Sequence, residues 1–288
     1  MAIEQNNYID FHCHPALKPY GKSFNYRKKG WNNPHRSRRN SIWKYDPPFL
    51  GDKLLNYFLN LTKFSQSNFT SLAKGDVRIV CASLYPMEKG FFVNKIKSEF
   101  LRDFLGNLAT GIGKKRIDAI QATTNYFKDL EMEYDFYKQL HNRVIRLPEG
   151  NYRYRLVKNF DEVVAILNED EKGPKTIAVI FGIEGMHALN SDLKKAPNEQ
   201  EFLKNLDTIK SWETPPLIAG LAHHFWNHLC GHAESFTDLV ADNVDQKEGM
   251  NTGITPLGKK VLHKMLDTSN GKRILVDIKH MSTTSRKE

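Results

Sequence analysis

Residues 256–280 read PLGKKVLHKMLDTSNGKRILVDIKH. Pro256 to Leu266 has the spacing of a helix opened by proline, Gly271 is a stop signal, and ILVDIKH is a β-rich apolar run ending in His280. One helix, one strand and one polar residue just past the strand form a unit, and the same unit recurs upstream.

A helix over residues 199–210 ends before Pro215 and Pro216 and is followed by the strand LIAGLAHH, residues 217–224. Phe160 to Leu167 reads as a short helix opened by Asp161, and it leads through EDEKGP to the strand TIAVIFGIE, residues 176–184. VRIVCASLYP, residues 77–86, is another β-rich run, and the first strand lies near Tyr8 to His12. Leu54, Leu55, Phe58 and Leu61 mark a helix before the second strand. Phe100, Leu101, Phe104, Leu105 and Leu108 mark another after it, and Ile117, Ile120, Phe127, Leu130, Tyr134 and Tyr137 a longer one. These last two form a helical insertion over 90–150, because a simple strand-helix-strand unit needs far fewer residues. Alternating strands and helices imply parallel strands with helices outside. Five strands close the core of a doubly wound sheet but not of an eight-stranded barrel, so the count alone leaves both open.

Polar residues gather where these strands end: His12 and His14 at the first, Glu184 at the third, His223 and His224 at the fourth, His280 at the fifth. In a parallel α/β barrel those ends converge on one mouth. In IDFHCHP, residues 9–15, alternation along an extended chain puts His12 and His14 on one side and Cys13 on the other. Imidazoles with a carboxylate are what a zinc site uses. His224, His228 and His232 recur every four residues and would stack on one face of a helix, but Phe225, Trp226 and Gly231 favour a loop there.

The 288 residues are 40% hydrophobic and 26% charged, ordinary for a globular protein. No apolar run reaches the roughly 18 residues of a membrane helix, the start MAIEQNN has no signal-peptide pattern, and three scattered cysteines give no disulfide framework. A cytoplasmic location with reduced thiols is the expectation. The net charge of +9 is concentrated after the first strand, in a loop over 15–50. Lys18, Lys22, Arg27, Lys28, Lys29, Arg36, Arg38, Arg39 and Lys44 all precede Asp46, with Tyr20, Phe24, Tyr26, Trp31 and Trp43 interleaved. Such a stretch is a solvated loop, a nucleic-acid contact, or a basic overhang that draws carboxylates to a site.

Three segments resemble the membrane dipeptidase (renal dipeptidase) family of the amidohydrolase superfamily. FGIEGMHAL, residues 181–189, looks like its bridging-glutamate segment, and LAHHFWNHL, residues 221–229, like its T-H-N-x-x-N segment. GITPLGKKVLHKMLDTSNGKRILVDIKHMS, residues 253–282, is similar to its G-L-T-x-x-G helix followed by L-V-D-x-S-H-x-S. The resemblance implies a TIM-type (β/α)8 metallo-hydrolase barrel, here a single domain over 1–288 truncated after about five strands, with the helical insertion between the second and third. It implies a zinc-dependent dipeptidase with two ions: His12 and His14 on one, Glu184 bridging, His280 on the other, and His223 as the catalytic residue that steadies the oxyanion. The substrate would be a small-molecule dipeptide, a homodimer is an assembly it allows, and neither a membrane nor nucleic acid is expected as partner.

The chain departs from the family at His14, where the family has Asp, at His224, where it has Asn, and at Lys279, where it often has Ser. The family's further zinc histidine, its substrate-binding Arg and its proton-shuttling Asp have no counterpart before Glu288. The expectation is a portion of a longer protein, since five barrel strands leave two unpaired edges and an open lumen. Two other readings stay open: a metal-dependent phosphoesterase or nuclease, whose folds also open with a D-x-H-x-H pattern such as Asp10, His12 and His14, and a catalytically incomplete barrel kept for binding.

Overall fold

The computed structural model describes residues 7–24, 31–59, 65–169, 173–191, 196–236, 242–269 and 271–288, with the backbone alone for Leu55, Phe58 and Leu59. Its strands are β1 (Tyr8–Cys13), β2 (Val77–Leu84), β3 (Ile145–Leu147), β4 (Gly150–Leu156), β5 (Lys175–Ile183), β6 (Ile218–Gly220) and β7 (Leu275–Asp277). Its helices are α1 (Leu17–Ser23), α2 (Leu50–Leu59), α3 (Phe69–Lys74), α4 (Glu99–Thr110), α5 (Lys114–Ala122), α6 (Tyr126–Lys138), α7 (Phe160–Leu167), α8 (Glu199–Lys210), α9 (Pro256–Leu266) and α10 (Thr283–Lys287). This is a mixed α/β fold with mostly parallel strand pairing among the described residues. Two compact units divide the chain. The first takes Met1–Ser83, Asn107–Arg116 and Met132–Phe181, the second Leu84–Gly106, Ile117–Glu131 and Gly182–Glu288.

In the first unit the strand order is β1-β2-β5-β4-β3. From Thr176 to Ile183 β5 is almost wholly buried, which fits its unbroken apolar run: a parallel strand covered on both faces has no polar side. By contrast β4 alternates, burying Tyr152, Tyr154 and Leu156 while the residues between them reach solvent. The Tyr154 ring stacks on Phe69 at 4.5 Å, and Trp43 lies 5.5 Å from Phe69. Helix α7 begins where expected, with Asn159 Oδ1 accepting the Glu162 N–H at 2.9 Å and two acids facing the dipole in its first turn.

Three expectations need correction here. The basic stretch over 15–50 is not simply a loop: it contains α1, and it delivers Ile42 and Trp43, both fully buried, to the core. Tyr20 is buried as well, so two of the interleaved aromatics are packed away from any base they would stack on. The insertion over 90–150 is not all helix, because β3 and β4 form an antiparallel hairpin turning at Pro148 and Glu149. The long helix from Ile117 to Tyr137 is two helices. It breaks before Tyr126 because Asn125 Oδ1 takes the Lys128 N–H at 2.8 Å, starting a new helix in place of the old one. Leu61, the basic residues Arg27, Lys28 and Lys29 with Tyr26, and residues 170–172 of EDEKGP lie outside the described residues.

In the second unit Gly182 and Ile183, the end of β5, pair in parallel with β6, and β6 pairs in parallel with β7. β6 is shorter than LIAGLAHH suggests, since the chain leaves the ladder at Leu221 and continues as a loop through His223 and His224. Helices α8 and α9 have the expected bounds, with side-chain caps from Asn198 and Thr255 and Pro256 in the first turn of α9. At the other end of α9 the buried Lys210 Nζ donates to the carbonyls of Lys264 and Asp267 at 2.8 and 2.6 Å, satisfying acceptors that a helix terminus leaves open.

The aromatic cluster gives a direct test of where stability resides. Phe69→Ala removes a fully buried ring and is expected to cost about 3–5 kcal/mol in urea unfolding. Phe100→Ala, at a ring 81% exposed, should stay within about 0.5 kcal/mol of the parent. Equal losses at both positions would contradict this assignment of the core.

Candidate metal centre

Three strand ends of the second unit bring together one group of side chains, with Glu184 and His223 buried and His224 and His280 half-buried. At the end of β5, the Glu184 N–H donates to the Leu84 carbonyl at 3.0 Å, so its backbone is fixed against the end of β2. Gly185 then turns the chain with φ +89° into the 3-10 turn Met186–Leu189. A Cβ at Gly185 would stand 2.5 Å from His187 Nδ1 and 2.8 Å from His223 Cβ, so a side chain there is excluded by both space and backbone. His223 and His224 follow β6, and His280 follows β7.

His223 is held from both ends. Its Nδ1 is hydrogen-bonded to Glu88 Oε2, and its Nε2 lies 3.3 Å from Glu184 Oε1. Glu88, four residues beyond β2 and 3% exposed, also accepts from the Tyr85 hydroxyl and the Phe225 N–H, each at 3.1 Å. Burial alone would raise this carboxyl, but the charge of His223, then His187, then the His223 hydrogen bond outweigh it and hold it down at about 2. Burial would likewise lower His223, yet Glu88 and then Glu184 lift it to about 9. His224 goes the other way: burial, then the neighbouring His223, push it to about 3. His187 is lowered, chiefly by burial, and its Nε2 lies 2.7 Å from the Pro86 carbonyl.

His280 Nε2 also lies 3.3 Å from Glu184 Oε1. Two ligands of a tetrahedral zinc, at usual bond lengths of about 2.0–2.1 Å, stand roughly 3.3 Å apart, so the donors of Glu184 fit a small divalent cation. Nitrogens of His223, His224 and His280 lie within 4.8 Å of one another, a second geometric sign of a site that can hold a metal. Lys279 Nζ is 3.9 Å from Glu184 Oε1.

His12 and His14 belong to the first unit. Their rings meet edge to face with centroids 5.2 Å apart. His14 Nδ1 lies 3.0 Å from the Ser83 carbonyl and His12 Nδ1 3.2 Å from the Ser83 hydroxyl. Anchoring an imidazole through Nδ1 is the arrangement in which Nε2 serves as the coordinating atom. A cavity of about 520 Å³ opens beside them, lined also by Asp10, Lys18 and Ser67. Cys13 between them is buried, and burial pushes its thiol well up, so it packs as an apolar residue and not as a thiolate.

The expected histidine loop is present. Residues 223–229 form no helix, His228 sits at φ +63°, and both nitrogens of His232 face the carbonyls of Ala233 and Glu248, at 3.1 and 2.9 Å. Sequence reading missed Glu88, Tyr85 and His187. The signal for Glu88 existed, an acid beyond an apolar strand, but Pro86 and Met87 separate it from the strand end.

No family model matches the chain, and no curated protein matches it. Among solved structures, a probable dipeptidase PvdM from Pseudomonas aeruginosa aligns with a TM-score of 0.42 and 13% identity, over 77% of this chain and 42% of that one. The chain therefore spans less than half the length of that protein. No helix among the described residues is long and apolar enough to cross a membrane.

The opposed histidine shifts predict a stability maximum in chelator-treated protein. The His223 contribution is complete below its ordinary 6.5 and is lost as pH rises through about 9. His224 resists protonation in the fold, so stability falls as pH drops from 6.5 toward about 3, and the Glu88 contribution, present above its ordinary 4.5, is lost as pH falls toward about 2. Melting temperature should peak near neutral pH, and Glu88→Gln should flatten the alkaline limb. A parent protein whose melting temperature still climbs between pH 7 and 9 would refute the His223 assignment.

Proposed function

We propose that the chain carries the metal-binding portion of a TIM-type barrel hydrolase that cleaves the amide bond of dipeptides. The observation that carries this reading is the approach of His223 and His280 to one carboxylate, Glu184, at 3.3 Å each, from the ends of different strands. That convergence supports the barrel, in which parallel strands deliver their polar residues to one end. Ile9 and Phe11 on β1, 45% and 76% exposed, with Leu275 on β7 and Ile278 beyond it, 44% and 52% exposed, are apolar surfaces that further strands would cover. Intact mass of the protein from its native host should then exceed 33.2 kDa.

In this reading, which follows the family resemblance, His12 and His14 would hold one zinc, His280 would hold a second, and the Glu184 carboxylate would serve as ligand to both. Bound zinc supplies a water acidified to near neutrality and polarises the scissile carbonyl. His223 then has one task. With its Nδ1 on Glu88 it keeps a proton on Nε2, the atom that faces the Glu184 side, and donates it as a hydrogen bond to the developing oxyanion. Tyr85 and Phe225 hold the Glu88 carboxylate, so the ring does not have to reorient during turnover. Lys18, which lines the cavity beside His12 and His14, is placed to receive the free carboxylate of a dipeptide.

A metal-dependent phosphoesterase is the second reading, favoured by a separate cavity of about 500 Å³ lined by Lys18, Lys22, Arg39 and Lys44. Assays of the zinc-loaded native protein on dipeptides and on a phosphodiester, side by side, separate the two. Dipeptide hydrolysis is expected, with kcat/KM falling about 100-fold or more in Glu184→Gln. Lys18→Glu should raise KM for dipeptides with kcat little changed. Turnover of the phosphodiester alone would replace the dipeptidase reading with the second one.

A further inference from the structure

His224 has no task in the reading above, yet it is the histidine whose surroundings are hardest to explain without a ligand. Its ring is wedged between aromatic neighbours, edge to face with Phe91 at 5.5 Å and tilted against Phe236 at 4.8 Å. Its carbonyl is tied by Gln246 Nε2 at 2.8 Å, so both the backbone and the ring are fixed. Its Nδ1 is nevertheless buried with no hydrogen-bond partner. His280 Nε2 is buried without a hydrogen bond too, although it lies 3.3 Å from Glu184 Oε1.

Buried polar atoms are nearly always satisfied, and two open imidazole nitrogens in one cluster call for a shared partner. The contrast with His232 is direct, since each of its nitrogens has a backbone carbonyl within hydrogen-bond distance. The His224 and His280 rings lie 4.7 Å apart, and a nitrogen of each falls within 4.8 Å of the other. His223 directs its Nδ1 to Glu88 and its Nε2 toward Glu184, so neither nitrogen makes a hydrogen bond to His224 or His280. An electron-pair acceptor satisfies both nitrogens at once, and a metal ion is one.

We propose that His224 is a metal ligand, completing with His280 and Glu184 the coordination of the second ion. This rests on the metal-hydrolase reading and extends it, because there His224 had no role. It gives that ion two imidazoles and a carboxylate from three successive strand ends, a set suited to zinc.

The test is metal binding and does not depend on turnover. The full-length parent protein, His224→Ala, His224→Gln, His280→Ala and His232→Ala are stripped, titrated with Zn²⁺ against a chromophoric chelator, and examined with Co²⁺ for the d–d absorption of a nitrogen-ligated ion. The parent should take up two equivalents. His224→Ala and His280→Ala should each weaken the second equivalent at least 100-fold and alter the Co²⁺ bands, and His232→Ala should leave both unchanged. If His224→Ala fails to fold by circular dichroism, His224→Gln decides, as it keeps the ring volume approximately and lacks the imidazole. Second-site affinity within threefold of the parent in the His224 variant, with loss in His280→Ala, overturns this inference and leaves the hydrolase reading standing. A parent that takes up no zinc overturns both.

Discussion

The buried pair of Glu88 and His223 is the interaction on which the second unit's polar centre depends. A carboxylate 3% exposed cannot stay ionised without compensation, and the imidazole against it, the Tyr85 hydroxyl and the Phe225 N–H supply it. Tyr85 lies just before Glu88 while His223 and Phe225 both come from the loop after β6, so satisfying one carboxylate fixes the end of β2 and that loop together. Removing either member of the pair would leave the other as an uncompensated buried charge, which is far costlier than the net worth of the pair itself. The pair acts as a constraint on geometry before it acts as a source of stability.

That constraint passes directly to Glu184. With Nδ1 taken by Glu88, His223 meets Glu184 through Nε2, and the absence of a side chain at Gly185 leaves the space that the His223 and His187 side chains occupy. Aromatic packing does for His224 what hydrogen bonding does for His223, and Ser83 anchors both His12 and His14 through Nδ1. Histidines used for packing have their nitrogens spent on carbonyls, as His232 does. Those aimed at a common point are held by one nitrogen or by the ring face, and that difference separates structural from ligand-ready imidazoles more sharply than burial.

Much of this was legible in the sequence because strand ends are marked by abrupt changes of polarity. The apolar runs before Glu184 and His280 are unambiguous, and helices α7, α8 and α9 carry both spacing and punctuation. What was illegible depended on interactions between distant residues or on short pieces. The hairpin of β3 and β4 escaped because GNYRYRL mixes arginines with its tyrosines, and only the packing of Tyr154 on Phe69 reveals which face is inside. Trp43 sits among basic residues, so its neighbours suggested a surface loop while the core claimed the ring. Glu88 went unread, since no local pattern announces that a histidine 135 residues away will meet it.

The charges of the second unit's centre show what such a site is prepared to accept. Glu88 is balanced by His223, and Lys279 stands 3.9 Å from Glu184 without burying itself, at 54% exposure. His224 resists protonation first because it is buried and then because the charge of His223 lies beside it. A cation arriving at Glu184 meets a carboxylate already approached by nitrogens of His223 and His280 at 3.3 Å and by the solvent-exposed Lys279, with His224 beside it as a neutral imidazole that need lose no proton to coordinate. By holding one histidine charged against a buried acid and its neighbour neutral, the chain divides two adjacent imidazoles between hydrogen-bond donation and electron-pair donation, a division that neither sequence position nor residue type dictates alone.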